Sequence, residues 1–189
     1  MSRAKPLIVM ALESEGQGRL EPLGFEVLYC GVGKVNAAYA LTRRLAQQPV
    51  SAVINLGSAG SHSYPRGSVL AADRFVQHDM DVTGLGFAHG QTPFESMPLV
   101  LEVAPQFHHL PHGMCASGDR FVQGRFPIAC DMVYMEAYAL AKVSLREGVS
   151  FSCVKYITDG ADDGASVDWE SNLKRAVDAF VQLLSEHGE

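Results

Sequence analysis

The chain has 189 residues, 47% of them hydrophobic and 19% charged, with a formal net charge of -6. That length and apolar content suit one compact domain with a sizeable core and exclude a wholly disordered chain. The acidic balance removes any broad electrostatic reason to bind nucleic acid or an anionic membrane.

In chain order, Pro6 to Ala11 (PLIVMA) is a short continuous apolar run that fits a strand buried on both faces. It is too short for a signal-peptide core or a membrane span, so the protein reads as cytoplasmic. Phe25 to Cys30 reads as a second strand, followed by the glycine turn Gly31-Val32-Gly33 and a helix from Lys34 to Gln48 that Pro49 stops. Ser51 to Leu56 is a third buried strand, ending in a turn at Gly57-Ser58-Ala59-Gly60. Ser68 to Val76 and Met114 to Ser117 read as further strands, with a long Gly-, Pro- and His-rich excursion from Gln77 to Pro111 between them. Met132 to Glu147 is predicted as a helix, Phe151 to Thr158 as a late buried strand, and Asp168 to Leu184 as an amphipathic helix with Leu173, Val177, Phe180 and Leu184 on its stripe. Strands alternating with helices predict an α/β domain in which a sheet carries helices on both faces, with ligands at the carboxyl ends of the strands.

Several motifs have a plain structural reading beside a functional one. CGVGKVNAA lacks the third glycine of a dinucleotide fingerprint and the ending of a phosphate loop, so a tight strand-to-helix turn is the better reading. The cysteines Cys30, Cys115, Cys130 and Cys153 form no CxxC pair and read as buried free thiols of a reducing compartment. His108, His109 and His112, and His78 beside Asp79 and Asp81, show no ligand spacing, so no metal and no cofactor are expected. NLGSAG lets backbone amides approach a ligand closely, or is simply a turn. The carboxylates are more informative. Glu13 and Glu15 follow a buried strand, Glu136 lies in the apolar MVYMEAYALA, and Asp159 ends a buried strand. Each costs desolvation energy unless it has a partner or a function, and each alone reads equally well as a satisfied acid or a cap.

Taken together, ALESE, GVGKVNAA, NLGSAG, HDMDVTGLGFAHGQTP, SGDRFV, YMEAYALA and ITDGAD occur in an order that resembles the 5′-methylthioadenosine/S-adenosylhomocysteine nucleosidases of the nucleoside phosphorylase superfamily. The resemblance implies one nucleoside phosphorylase-like domain over residues 1–189, a central mixed β-sheet flanked by helices, and hydrolysis of the N-glycosidic bond of an adenine nucleoside. By the same resemblance Glu15 activates the attacking water and Asp159 protonates N7 of the leaving adenine. Met135 and Glu136 bind the ribose, Ser58 lies near sugar and water, and Phe121 and Val122 stack on adenine and offer backbone hydrogen bonds. Lys155 stands where an arginine near the sugar is usual, and Thr158 supports the catalytic aspartate. The segment from Leu85 to Pro93 reaches into a partner subunit's site, which implies a homodimer.

An acid on the leaving base and a carboxylate behind the water is the division of labour of inverting glycoside hydrolysis. The chain departs from the family pattern at Tyr134, where an acid is usual, at Lys155, at Leu12 and Leu85, and in a shortened stretch between Glu15 and Gly31. The alternatives are a futalosine-type nucleoside hydrolase, a phosphorylase using Arg19 or Lys34 to hold phosphate, and a non-catalytic nucleoside-binding protein on the same scaffold.

Overall fold

A computed structural model describes residues 5–124, 126, 128–160 and 165–187, with residues 165–171 and 187 described by backbone alone. Strands β1 (Leu7–Met10), β2 (Glu26–Tyr29), β3 (Val53–Gly60), β4 (Val69–Gln77), β5 (Leu101–Glu102), β6 (His112–Ser117), β7 (Met132–Val133) and β8 (Phe151–Asp159) form one mixed sheet. Helices α1 (Glu13–Gly16), α2 (Lys34–Gln47), α3 (Ala137–Arg146) and α4 (Ala165–His187) flank it. The order is β2-β1-β3-β7-β6-β4-β5, and β8 pairs with both β3 and β4. Strands β3, β8, β4, β6 and β7 therefore close on one another, parallel within β3–β8 and within β4–β6–β7 and antiparallel where the two sets meet.

Alternation of side chains along the strands divides the core in two. Leu7 and Val9 of β1 pack with Ala37 and Leu41 of α2 and Leu140 of α3, whereas Ile8 and Met10 pack with Leu56, Val154 and Phe180 on the α4 side. The stripe Leu173, Val177, Phe180 and Leu184 is buried as its spacing predicts.

The structure departs from the sequence-based elements in three places that matter. NLGSAG is not a turn, because β3 continues through Gly60 with β8 as its partner. Met132 does not begin a helix; Met132 and Val133 form β7, and α3 starts only at Ala137, leaving Met135 and Glu136 in the connection. The apolar run hid this boundary because Met and Val suit either element. Finally, β8 extends to Asp159 through a register shift: Ala59 pairs with Ile157 and Gly60 with Asp159, so Thr158 is the extra residue of a bulge.

Phe180, fully buried between α4 and the sheet, tests the second core. Phe180→Ala is expected to lower the unfolding free energy by about 3–5 kcal/mol, measured by denaturant titration.

Candidate active site

A cavity of about 260 Å³ opens where the carboxyl ends of the strands converge, just below the roughly 300–1,000 Å³ usual for small-molecule sites. Its wall combines Ala11 and Leu12 beyond β1, Glu15 of α1, Ser58 to Gly60 of β3, His78 beyond β4, the loop after β6, the segment Val133 to Glu136, and Asp159 of β8. Of the residues expected at the site, Glu15, Ser58, Phe121, Val122, Met135, Glu136 and Asp159 all line this space. Three carboxylates far apart in sequence thus meet around one cavity, each nearly inaccessible to solvent: Glu15 and Glu136 are 2% exposed and Asp159 4%.

Glu15 is held from two sides. Its Oε1 accepts the Ser58 N–H at 2.9 Å and the Ser58 hydroxyl at 2.8 Å, and its Oε2 accepts the Leu12 N–H at 3.2 Å. One carboxylate oxygen is therefore saturated by β3, and the other keeps acceptor capacity for a water. Glu136 precedes α3, and its Oε1 accepts the Gly33 N–H at 2.7 Å. Gly33 is the residue before α2 and has a φ of 93°, a conformation that favours glycine. The Glu136 carboxylate thus sits at the amino end of α2, where the helix field favours negative charge. Burial pushes its pKa up to about 7, while the Gly33 N–H and the charge of Lys155 pull the other way.

Asp159 owes its position to the β8 bulge. The Thr158 hydroxyl donates to Asp159 Oδ2 at 2.8 Å, and Asn172 Nδ2 of α4 donates to the Thr158 carbonyl at 3.2 Å. Thr158 therefore supports the aspartate from behind and is not part of the cavity wall. The rim is fastened by three loops: Lys34 pairs with Asp79, Asp79 Oδ2 accepts the Asp119 N–H at 2.8 Å, and Asp119 Oδ1 accepts the Lys34 N–H at 2.7 Å.

One expected contact lies elsewhere. Lys155 is fully buried but outside the cavity wall, its ammonium 3.1 Å from the centroid of the Tyr134 ring. Leu85 and Pro93, expected in a partner subunit's site and not in their own, lie on the long excursion, with Leu85 71% exposed. His78 and Arg120 also stand on the wall, where the sequence pattern marks neither as a ligand contact. Burial lowers the pKa of His78. Arg120 stood inside SGDRFV without a role of its own. No group of three metal-ligating side chains occurs among the described residues.

The phosphorylase superfamily model matches residues 26–187, and the mixed sheet and the cavity at its strand ends place the protein in that class. Its relatives are more specific. The chain is 33% identical over 189 residues to the 5′-methylthioadenosine/S-adenosylhomocysteine nucleosidase of Geobacillus thermodenitrificans, a match covering 88% of this chain and 80% of that protein. It is 34% identical over 193 residues to the enzyme of that name from Marinomonas sp., covering 89% and 82%. The S-adenosylhomocysteine nucleosidase of Streptococcus pyogenes, solved in complex with 5-methylthiotubericidin, superposes with a TM-score of 0.84 at 27% identity over 98% of both chains. The futalosine hydrolase of Helicobacter pylori shares the fold, with a TM-score of 0.87 at 23% identity over 96% of each chain. The chain belongs to the 5′-methylthioadenosine/S-adenosylhomocysteine nucleosidase family.

Burial of the Glu136 carboxyl makes the stability of the fold depend on pH. Its pKa is raised from an ordinary 4.5 to about 7, so between those values the folded chain holds a proton that the unfolded chain releases. The wild type therefore loses stability as pH rises through this window. Glu136→Gln, which keeps an acceptor for the Gly33 N–H, is expected to gain on the order of 2 kcal/mol relative to wild type between pH 5 and pH 8. Denaturant titrations of both proteins at the two pH values check this.

Proposed function

We propose that this protein hydrolyses the N-glycosidic bond of a 5′-substituted adenosine, with 5′-methylthioadenosine and S-adenosylhomocysteine as the substrate class, and releases adenine. The observation that carries the reading is the convergence of Glu15, Glu136 and Asp159 on one cavity of small-ligand size. Glu15, with one oxygen saturated by Ser58, directs its other oxygen at a water and takes its proton as the water attacks the anomeric carbon. Asp159 gives its proton to N7, so that adenine departs as a neutral base. Glu136 accepts hydrogen bonds from the ribose hydroxyls, and these strengthen as the sugar becomes oxocarbenium-like, which is differential binding of the transition state. Met135 packs against the sugar, and Phe121 and Val122 border the base.

Water is favoured over phosphate as the nucleophile. Arg19 is paired with Asp178 and Lys34 with Asp79, and neither lines the cavity, whereas Glu15 would repel an anion beside it. An adenine-release assay on a panel of 5′-substituted adenosines and a futalosine-type nucleoside, with and without phosphate, tests the reading. Ribose products that do not depend on phosphate support hydrolysis; ribose 1-phosphate contradicts it. Binding without cleavage selects a non-catalytic protein. Asp159→Asn and Glu15→Gln are each expected to lower kcat about 10²–10⁴-fold while circular dichroism shows an unchanged fold. Near-normal turnover by either would remove that residue from its role.

A homodimer accounts for apolar side chains left in solvent. Phe94 is 92% exposed, Val35 77%, Leu85 71% and Tyr39 64%, and a partner seated on them would remove that apolar surface from water. The segment from Leu85 to Pro93 then completes a neighbour's site. Phe94→Asp is expected to weaken the dimer more than about tenfold in sedimentation equilibrium. A cytoplasmic location is supported by four free cysteines, and no helix among the described residues is long and apolar enough to cross a membrane.

A further inference from the structure

Two carboxylates of the site, Glu15 and Glu136, have to be charged for the proposed chemistry, yet both are buried. Isolated buried anions are costly and need a compensating charge or dense hydrogen bonding. Among the described residues, one lysine or arginine is buried, and it is Lys155, fully shielded from solvent. Its Nζ donates to Asn55 Oδ1 at 2.7 Å and stands 3.1 Å from the centroid of the Tyr134 ring. Asn55 Nδ2 donates to the Val9 carbonyl at 2.9 Å, which turns the amide oxygen towards the ammonium. Tyr134 lies against β3 beside Gly57, the register partner of Lys155, which has no side chain; a Cβ there would stand 2.9 Å from the phenol oxygen. Tyr134 is itself part of the cavity wall and Lys155 is not. The ring is thus a partition with the ligand space on one side and a cation on the other.

We propose that Lys155 is a positioning residue that does not touch substrate: a fixed cation behind the Tyr134 ring that keeps Glu136 in the charged form its role requires. The ring face attracts the ammonium and holds it in place, and its width keeps Lys155 from forming a direct ion pair that would tie up a carboxylate needed by the sugar. The surrounding groups leave this balance to three charges. Glu136 faces Lys155 from β8, Glu15 from α1, the Tyr134 phenol and Cys30. Lys155 also faces Cys115 and Cys153. Burial pushes the thiols of Cys30, Cys115 and Cys153 and the Tyr134 phenol upwards, so all four stay neutral at working pH.

The proposal rests on the roles given to Glu15 and Glu136, and adenine release by the wild type is measured first; its absence fails those roles and not this one. The test is then the pH dependence of kcat/KM for adenine release. Lys155→Met removes the charge at similar volume, and Asn55→Asp neutralises it with almost no change of shape. Both are expected to move the acid limb upwards by about one pH unit, a roughly tenfold loss on the acid side, with partial recovery at higher pH. Lys155→Arg keeps the charge and is expected to keep the limb where the wild type has it. A folded Lys155→Met or Asn55→Asp protein with the wild-type limb overturns the proposal. So does failure of both to fold, which would make Lys155 a residue of stability alone.

Discussion

Three carboxylates brought out of water around one cavity set the terms for everything near them. Their burial makes them useful, because hydrogen bonds and charges act more strongly where water is excluded. It also makes them costly, and the fold meets the cost differently at each one. Glu15 is met by β3, through the backbone and hydroxyl of Ser58. Glu136 is met by the amino end of α2 and by the charge of Lys155. Asp159 is met by a hydroxyl that a bulge places beside it. Ser58 and Gly33 reach Glu15 and Glu136 from elements that the sheet topology delivers from elsewhere, whereas Leu12 and Thr158 hold Glu15 and Asp159 from within their own turn and strand.

Much of this was legible in the sequence. The apolar runs of β1, β3 and β8 declare strands buried on both faces, and the stripe on α4 falls on the residues that pack. Acids at the ends of such strands stand out because an apolar neighbourhood gives them no cheap reason to be there. What stayed hidden was fixed by pairing and not by composition. A run such as Met132 to Glu147 reads as helix until a strand partner is known, and Gly57 to Gly60 reads as a turn until β8 is laid beside it. His78 and Arg120 face the ligand space only because β4 and β6 lie side by side.

Tyr134 and Lys155, the positions at which the resemblance implies an acid and an arginine, are in contact. The ammonium stands against the aromatic face, which holds a positive charge at this depth without the planar fork of a guanidinium. A tyrosine here also needs room, and Gly57 provides it within β3.

The shortened stretch after Glu15 bears on the same question of what the site can do without. Between α1 and β2 the chain makes only the 3-10 turn Glu21–Leu23. Leu20 is fully buried there, the Tyr29 hydroxyl donates to Glu21 at 3.1 Å, and Arg19 pairs with Asp178 of α4. Nothing in this connection touches the Glu15 carboxylate. That group is positioned by its own turn at Leu12 and by Ser58 across the sheet, so its placement does not depend on the length of the segment that follows. On this side of the fold it is Leu12 and the exposed Val32, and not this connection, that stand on the cavity wall.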